Sequence, residues 1–498
     1  MSEHMIRIAG ATIVTVDPAG TIIDDGDIWI AGDRIAYAGP AGGYTAPEGA
    51  AVTEVDGRDR VAMPGLVNCH THSYAALLKG TVDTDPLDVF MVQAILAAGA
   101  RSDRDVYLSA QISALEMLKT GTTACLDHFS HRPRHTPEAL DAALRAFADA
   151  GVRATVAPMF SDRPFLETIP LEGELDDALR AELPAAPQPA DPYFEMMADA
   201  LPRWKDDPRV SLMLGIDSPQ RCSEALLRRA GAFCAEWDIG NHTHLLEAKT
   251  QHTMSLSRPE GYVAYLADCG LAGPKSSFAH FVWFTDLDLE ATARAGVNVV
   301  HNPASNLILG SGLQPLMRLV SAGVPVAFGS DGPNTGHMSM FEKMRLAALL
   351  PRISEADPAD WLTAPEALRM ISVNGARALG REGAGELAAG QLADITLLDG
   401  RSIALSPRGR LAPQIVFYET GASVTDVFVG GEQVLADGQT TRFDGPAILA
   451  EAHEAAARIA RDSAAALEKA ERFRPGLTKM IHRVLTDGCG PCRLAALS

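Results

Sequence analysis

From about Met63 to about Gly380, short apolar runs alternate with longer amphipathic stretches, and this rhythm restricts the possible folds more than any other feature. GTTACLDHF is followed by PEALDAALRAFADAG and then VRATVAPMF. VSLMLGI, SEALLRRAGAFCAEWDIG and NHTHLLEA repeat the pattern, as do FAHFVWF, ATARAGVNVVHNP, MRLVSAG and VPVAFGSDG. Runs this short, separated by stretches of helical period, read as successive βα units, and units sustained over roughly 300 residues predict a parallel sheet closed into a barrel. A doubly wound open sheet is the second choice, but the early Gly-rich dinucleotide turn of that class is missing.

The two ends have a different texture. IRIAGATIVTV and DIWIAGDRIAYAG alternate apolar and polar residues around Gly and Asp turns, as half-buried antiparallel strands do, and the same texture returns in LADITLLDG and VTDVFVGGEQVLADGQ. Neither set has enough strands to stand alone, so the two are expected to share one small β domain. The predicted fold is α/β: a (β/α)8 TIM barrel over 63–385 and a β-sandwich built from 1–62 and 386–445. The Ala/Glu/Arg-rich 446–498 is expected to be a helical C-terminal appendage.

With 498 residues, 47% of them hydrophobic and 21% charged, the chain has the composition of a soluble protein with a sizeable core. A formal charge of −20 argues against nucleic acid or an anionic membrane as the main partner. The opening MSEHMIRIAG lacks the marks of a secretory signal, and no apolar run is long enough to span a bilayer, so a cytoplasmic location is expected. Seven cysteines are too few and too scattered for a disulfide scaffold. Cys69, Cys125, Cys222, Cys234 and Cys269 lie in apolar or helical surroundings and read as buried thiols.

Polar residues of a particular kind recur where the apolar runs end. His70-Thr71-His72 follows PGLVN, and residues two apart on a strand face the same side, so both imidazoles point to the barrel mouth. Alone, the pair reads equally as ligands for a borderline cation or as polar residues closing a strand. NHTHLLE adds His242, His244 and Glu247, with His242 expected to sit deeper and act structurally. Ala279-His280, His301-Asn302-Pro303 and Gly329-Ser330-Asp331-Gly332 end three more runs. A lone histidine at any of these places would most often be a core residue. Four histidines and an aspartate at the C-terminal ends of separate βα units fall on the face where barrel enzymes gather their chemistry.

PGLVNCHTH, HTHLLE, AHFVWF, HNPASNLILGSG, GSDGPNTGHMSMFEKMRLAALL and GELAAGQLADITLLD resemble, in this order, the motifs of the amidohydrolase superfamily. The resemblance extends to about Gly438. It points to the branch of adenosine-type, S-adenosylhomocysteine, cytosine and guanine-type deaminases and triazine hydrolases. It implies that His70, His72, His244 and Asp331 bind one divalent metal, Zn2+ or alternatively Fe2+. It further implies that Glu247 protonates a ring nitrogen of the substrate, that His280 orients the attacking water, and that Asp331 carries its proton to the leaving group. No lysine stands at the place of a bridging carboxylated ligand, so one metal is expected rather than two. A homo-oligomer, dimer or tetramer, is also expected.

Departures from the family pattern bear on the substrate. GIDSPQ carries Asp217 where relatives usually have a histidine. Asp217 reads either as a partner for an amino-bearing substrate or as a cap for the helix beginning near Ser223. Asp88-Val89-Phe90 replaces an Asp-Trp-Leu type of segment, and both changes argue against a nucleoside. His128, Asp217, His301 and Asn302 are the residues expected to meet the substrate. The terminal Cys489-Gly490-Pro491-Cys492 matches a thioredoxin-type motif in letters only, lacking the strand and helix that chemistry needs.

The expected activity is hydrolytic deamination of an amino-substituted N-heterocycle of purine, pyrimidine, pterin or triazine type. Hydrolysis of a chloride, alkylamine or ring amide by the same machinery is the alternative, since pocket shape sets the leaving group. A non-catalytic scaffold stands lower, because such a protein would be expected to lack one of the residues that are all in place.

Overall fold

Gly65 is the joint between two systems of strands. In the computed structural model, which describes residues 4–97, 99, 101–183 and 189–486, Arg60–Pro64 pairs antiparallel with Ile395–Asp399. One residue further on, Leu66–Thr71 pairs parallel with Thr122–Asp127. A side chain at position 65 would have its Cβ 2.2 Å from the Thr123 side chain, so only glycine lets the chain pass between the two.

The apolar runs are buried parallel strands, as their composition requires. One sheet orders Leu66–Thr71, Thr122–Asp127, Arg153–Val156 and Val210–Leu212. A second runs from Met159–Phe160 through Leu214–Ile216, Asn241–Leu245, Ser276–His280 and Asn298–His301 to Val326–Phe328. Every pairing in both is parallel. Arg153–Val156 with Met159–Phe160, and Val210–Leu212 with Leu214–Ile216, are successive pieces of two extended stretches, which couple the sheets in the same order. A parallel bridge between Thr71 and Asp331 links the first run to the segment after the last.

Helices fill the intervals with the stops and starts their sequences encode. Asp103–Lys119 begins with a capping box between Ser102 and Asp105. Pro137–Ala150 starts on the Thr136 side chain with Pro137 in its first turn, and ends at Gly151 in the left-handed region. Its Leu140, Ala143, Leu144 and Phe147 are fully buried, at the spacing of one helical face. Cys69, Cys125, Cys222, Cys234 and Cys269 are free and buried, as expected.

The chain ends meet in one nine-stranded sheet. His4–Val14, Ile22–Ala31 and Arg34–Pro40 are antiparallel neighbours. Ala51–Asp56 and Arg60–Pro64, however, pair with His4–Val14 in parallel, where the alternation had suggested antiparallel strands throughout. Alternation records which face is buried and carries no direction, and the connection from Pro40 to Ala51 is long enough to return the chain. From the other end, Ile395–Asp399, Val424–Val429, Glu432–Ala436 and Gln439–Thr440 complete the sheet. Ile8, Ile28, Ala62, Ile395, Leu397 and Phe428 share one apolar cluster across the two contributions.

The terminal helices, Gly445–Glu471 and Arg474–Thr486, do more than pack at the periphery. Phe473, Leu477 and Met480 form a core with Val89, Val92 and Phe165. Ala456, Ile459 and Ser463 reach a central cavity. Cys489 and Cys492 lie outside the described residues. No helix among the described residues is long and apolar enough to cross a membrane.

A buried ion pair ties the end sheet to the parallel strands: Arg153 Nε lies 2.9 Å from Asp394 Oδ2, both side chains being 7% exposed. The same carboxylate accepts Gly430 N–H, and its charge also acts on Arg209 and Arg381. Removing the carboxylate strands buried guanidinium charge. Asp394→Ala should therefore destabilise the protein by about 3 kcal/mol, read as a lower urea midpoint at unchanged slope. A loss under about 1 kcal/mol would show that the pair is not what joins the two parts.

Candidate metal centre

His70 and His72 stand at the end of Leu66–Thr71, with exposures of 0% and 7%. The chain after Val326–Phe328 packs against them because residue 329 is glycine: a Cβ there would sit 2.8 Å from His70 Cβ and 2.3 Å from Asn302 Oδ1. Ser330 N–H and Asp331 N–H both donate to the His70 carbonyl, at 3.0 and 2.9 Å. Leu246, His280, Phe281 and Asp331 have positive φ values of 50°, 72°, 45° and 61°. Four strained side-chain-bearing residues cluster where three strands end, as at sites where geometry is imposed for function.

Backbone carbonyls fix the imidazole tautomers. His72 Nδ1 lies 2.7 Å from the His128 carbonyl, and His244 Nδ1 lies 2.6 Å from that of Asp217. A carbonyl only accepts, so both Nδ1 atoms carry hydrogen, and in the neutral rings both Nε2 atoms present lone pairs. Those two Nε2 atoms are 3.1 Å apart. His70 Nδ1 meets His242 Nε2 at 2.8 Å, and His242 Nδ1 meets Ser277 Oγ at 3.0 Å, so His242 is the deep orienting group expected of it. His70 Nε2 is buried without a hydrogen-bond partner. Asp331 Oδ1 completes the group at 3.1 Å from His72 Nε2 and 3.4 Å from His70 Nε2.

The charges favour a cation. Burial holds the His70 imidazole well below its usual range and lowers His244 to about 3. Burial opposes a charge on His72 as well, yet the Asp331 carboxylate raises it. Burial would raise Asp331, but the closely approaching imidazoles of His70 and His72 hold it well below the ordinary carboxylate range. Neutral imidazole nitrogens and an ionised carboxylate are the donor set of a borderline divalent ion. Ligand atoms of His70, His72, His128 and His244 all lie within 4.8 Å of one another, as do those of His70, His280 and Asp331.

Around this point lie further buried ionisable groups. Glu247, two residues past Asn241–Leu245, accepts from Ser311 Oγ at 3.2 Å, and its Oε1 lies 3.6 Å from His280 Nδ1. Burial raises its pKa, which suits a carboxyl that must give up a proton. His280 Nδ1 meets Asn306 Oδ1 at 2.8 Å, while its buried Nε2 is unpaired and 4.0 Å from Asp331 Oδ2. The Ser305 hydroxyl donates to that same Asp331 oxygen. A cavity of about 820 Å3 opens over His72, His244, Glu247, His280 and Asp331.

Of the residues expected to meet substrate, Asp217 lines this cavity. It does not cap the following helix: Ser223 caps Glu224–Trp237 itself, and Asp217 binds Arg221 at 2.6 Å. His128, His301 and Asn302 are buried behind the wall, at 0, 2 and 0% exposure, with unpaired ring or amide atoms. His128 packs among His70, His242 and His244. Sequence reasoning did not single out Ser305, Asn306 or Ser311, although all three lie in the HNPASNLILGSG segment.

Comparison with known proteins places this geometry. The profile described as the amidohydrolase family matches residues 61–434. The chain belongs to the amidohydrolase family. This amidohydrolase is 33% identical over 463 residues to a 5'-deoxyadenosine deaminase of Methanothermobacter thermautotrophicus, covering 92% of this chain and 100% of that one. It is 32% identical over 452 residues to a 5-methylthioadenosine/S-adenosylhomocysteine deaminase of Nitratidesulfovibrio vulgaris, covering 90% and 96%. A solved adenosine deaminase of Xanthomonas campestris with bound zinc superposes with a TM-score of 0.80 at 26% identity, covering 92% and 98%. An atrazine chlorohydrolase of Arthrobacter aurescens shares the fold, with a TM-score of 0.79 at 24% identity, covering 91% and 100%. This amidohydrolase is a hydrolase of carbon–nitrogen bonds other than peptides.

Asp88 lines the same cavity, and burial raises its pKa to about 7, with Thr250 Oγ1 donating to it at 3.2 Å. An unfolded aspartate titrates near 4, so between about pH 4 and 7 the folded protein binds the extra proton and stability falls as pH rises. Above that window the cost of burying the carboxylate is fully present. Asp88→Asn removes it, so the variant's melting temperature should gain on the parent's as pH goes from 5 to 8. Parallel melting curves across that range would disprove the assignment.

Proposed function

We propose that this amidohydrolase is a zinc-dependent deaminase of amino-substituted N-heterocycles, with His70, His72, His244 and Asp331 holding one ion, Fe2+ being the alternative. The observation that carries this reading is the pair of Nε2 lone pairs 3.1 Å apart beside the Asp331 carboxylate. The parallel strands in this reading form a closed (β/α)8 barrel over 63–385, drawn shut at Thr71 and Asp331. The end sheet, from 1–62 and 386–445, folds over its apolar cluster as a sandwich. Helix Gly445–Glu471 and the residues up to Arg474 roof the cavity.

When bound, the ion supplies positive charge that acidifies solvent near neutral pH. The chain's own residues supply the rest. Glu247, its carboxyl favoured in the neutral form, donates to the ring nitrogen beside the amino-bearing carbon, which makes that carbon electrophilic. His280, fixed through Nδ1 by Asn306, offers Nε2 to the oxygen adding to that carbon. Asp331 Oδ2, within 4.0 Å of His280 Nε2, takes the proton of the attacking water and passes it to the departing amine. Ammonia leaves, the proton on the added hydroxyl returns to Glu247, and the ring keeps the oxygen as a carbonyl. His128, His301 and Asn302 hold the wall behind these groups, and Asp217 is the polar residue that faces the substrate. The curated relatives named as deaminases of adenosine derivatives support a purine-type ring.

Two substitutions test the roles by ammonia release across aminopurines, aminopyrimidines, pterins and triazines. Glu247→Gln should keep its zinc and lose at least roughly a hundredfold in turnover. Asp331→Ala should lose turnover and bound zinc together. Full activity in either variant would remove that residue from the mechanism.

A further inference from the structure

The wall of the cavity beside Asp217 carries more positive charge than it uses. Arg101, Arg132 and Arg221 all line it. Arg221 is matched by Asp217 at 2.6 Å, although its Nε is buried and unpaired. Arg101 is tied to the Tyr74 carbonyl at 2.6 Å. Arg132 has no hydrogen bond or ion pair among the described residues. Where the terminal helices reach the cavity, Asp85 and Glu471 are joined to Arg474, and Glu468 adds a further carboxylate. The excess of positive charge is therefore local to one side.

Arg132 is half-buried in the cavity wall with no partner of its own, and the nearest counter-charge, Asp217, is shared with Arg221. Burial and the neighbouring Arg221 both hold the Arg132 pKa below its usual value, the effect of an environment short of negative charge. The cavity, at about 820 Å3, is far larger than a bare heterocycle occupies. We infer that the substrate bears an anionic substituent, a carboxylate or a phosphate, which Arg132 receives with Arg101 and the free edge of Arg221. A planar fork of donors is the group suited to either anion. This inference deepens the deaminase reading and rests on it for the ring alone.

Matched deaminated compounds, which cannot turn over, separate the two questions. Inosine, inosine 5′-monophosphate and inosine 5′-carboxylate, with lumazine and lumazine 6-carboxylate, are titrated calorimetrically into the zinc-loaded full-length protein. In at least one scaffold the anionic member should bind roughly tenfold or more tightly than its neutral parent. The phosphate and carboxylate arms then tell which anion is preferred. In Arg132→Gln that ratio should fall towards one, while Arg132→Lys, keeping charge without the fork, should retain part of it. Equal binding of neutral and anionic members, no binding by any anionic member, or a preference that survives Arg132→Gln would each overturn the inference. Ammonia release from the aminated counterparts is read separately: its failure counts against the deaminase reading while leaving the anion ratio standing.

Discussion

Two imidazole nitrogens face each other at 3.1 Å, and much of the architecture holds them there. Left to themselves, His72 and His244 would each turn Nε2 towards a donor. They are prevented because each Nδ1–H is spent on a main-chain carbonyl, of His128 and of Asp217. Main-chain acceptors at strand ends move less than side chains, so the tautomer is set by the fold itself. A cation between the nitrogens and the Asp331 carboxylate relieves the repulsion, and the burial that suppresses protonation of His70 and His244 favours a metal over a proton.

That requirement explains otherwise unrelated details of the backbone. Asp331 reaches His70 because Gly329 has no Cβ to strike it. The positive φ of Asp331 and His280 turns each strand end inward, a distortion that the bonds from Asp331 N–H to His70 O and from Gln314 to the His280 carbonyl keep in place. The strands that carry these residues are the most deeply buried in the chain, so the strain is supported by packing on both faces of the sheet.

Much of this was legible in the sequence because it is local. His70 and His72, or His244 and Glu247, are separated by a few residues, and the strand period decides their side without knowledge of the whole. The order of apolar runs likewise predicted the parallel pairings, since consecutive units tend to be neighbours. What escaped depends on contacts between distant segments. Ala51–Asp56 runs parallel to His4–Val14 because of how a connection returns, which no pattern of alternation records. Asp217 was read as substrate-facing or as a helix cap; it lines the cavity, but Ser223 caps the helix and Arg221, only four residues on, pairs with its carboxylate. His128 sits at a strand end like the others but turns behind the wall, where the neighbouring rings of His242 and His244 are. The terminal helices looked peripheral because nothing in an Ala/Glu/Arg-rich segment says which surface it covers.

The same distinction separates the chemistry from the choice of substrate. His70, His72, His244, Glu247, His280 and Asp331 sit on strands and on the segments directly after them. The charged groups of the cavity wall sit on connections: Arg132 after Thr122–Asp127, Arg221 after Leu214–Ile216, Asp85 before the helix that begins at Leu87. Connections can change length and charge without disturbing the sheet. The helix Gly445–Glu471 lines the cavity with Ala456, Ile459, Ala460 and Ser463 and, near its end, with Glu468 and Glu471. The basic wall therefore stands apart from the acidic end of the helix, which orients a charged substituent towards the arginines. In a chain with a net charge of −20, that wall is a local reversal of sign. The long-range field repels anions while the site selects them, so discrimination is exerted by contact inside the cavity and not by steering from solution.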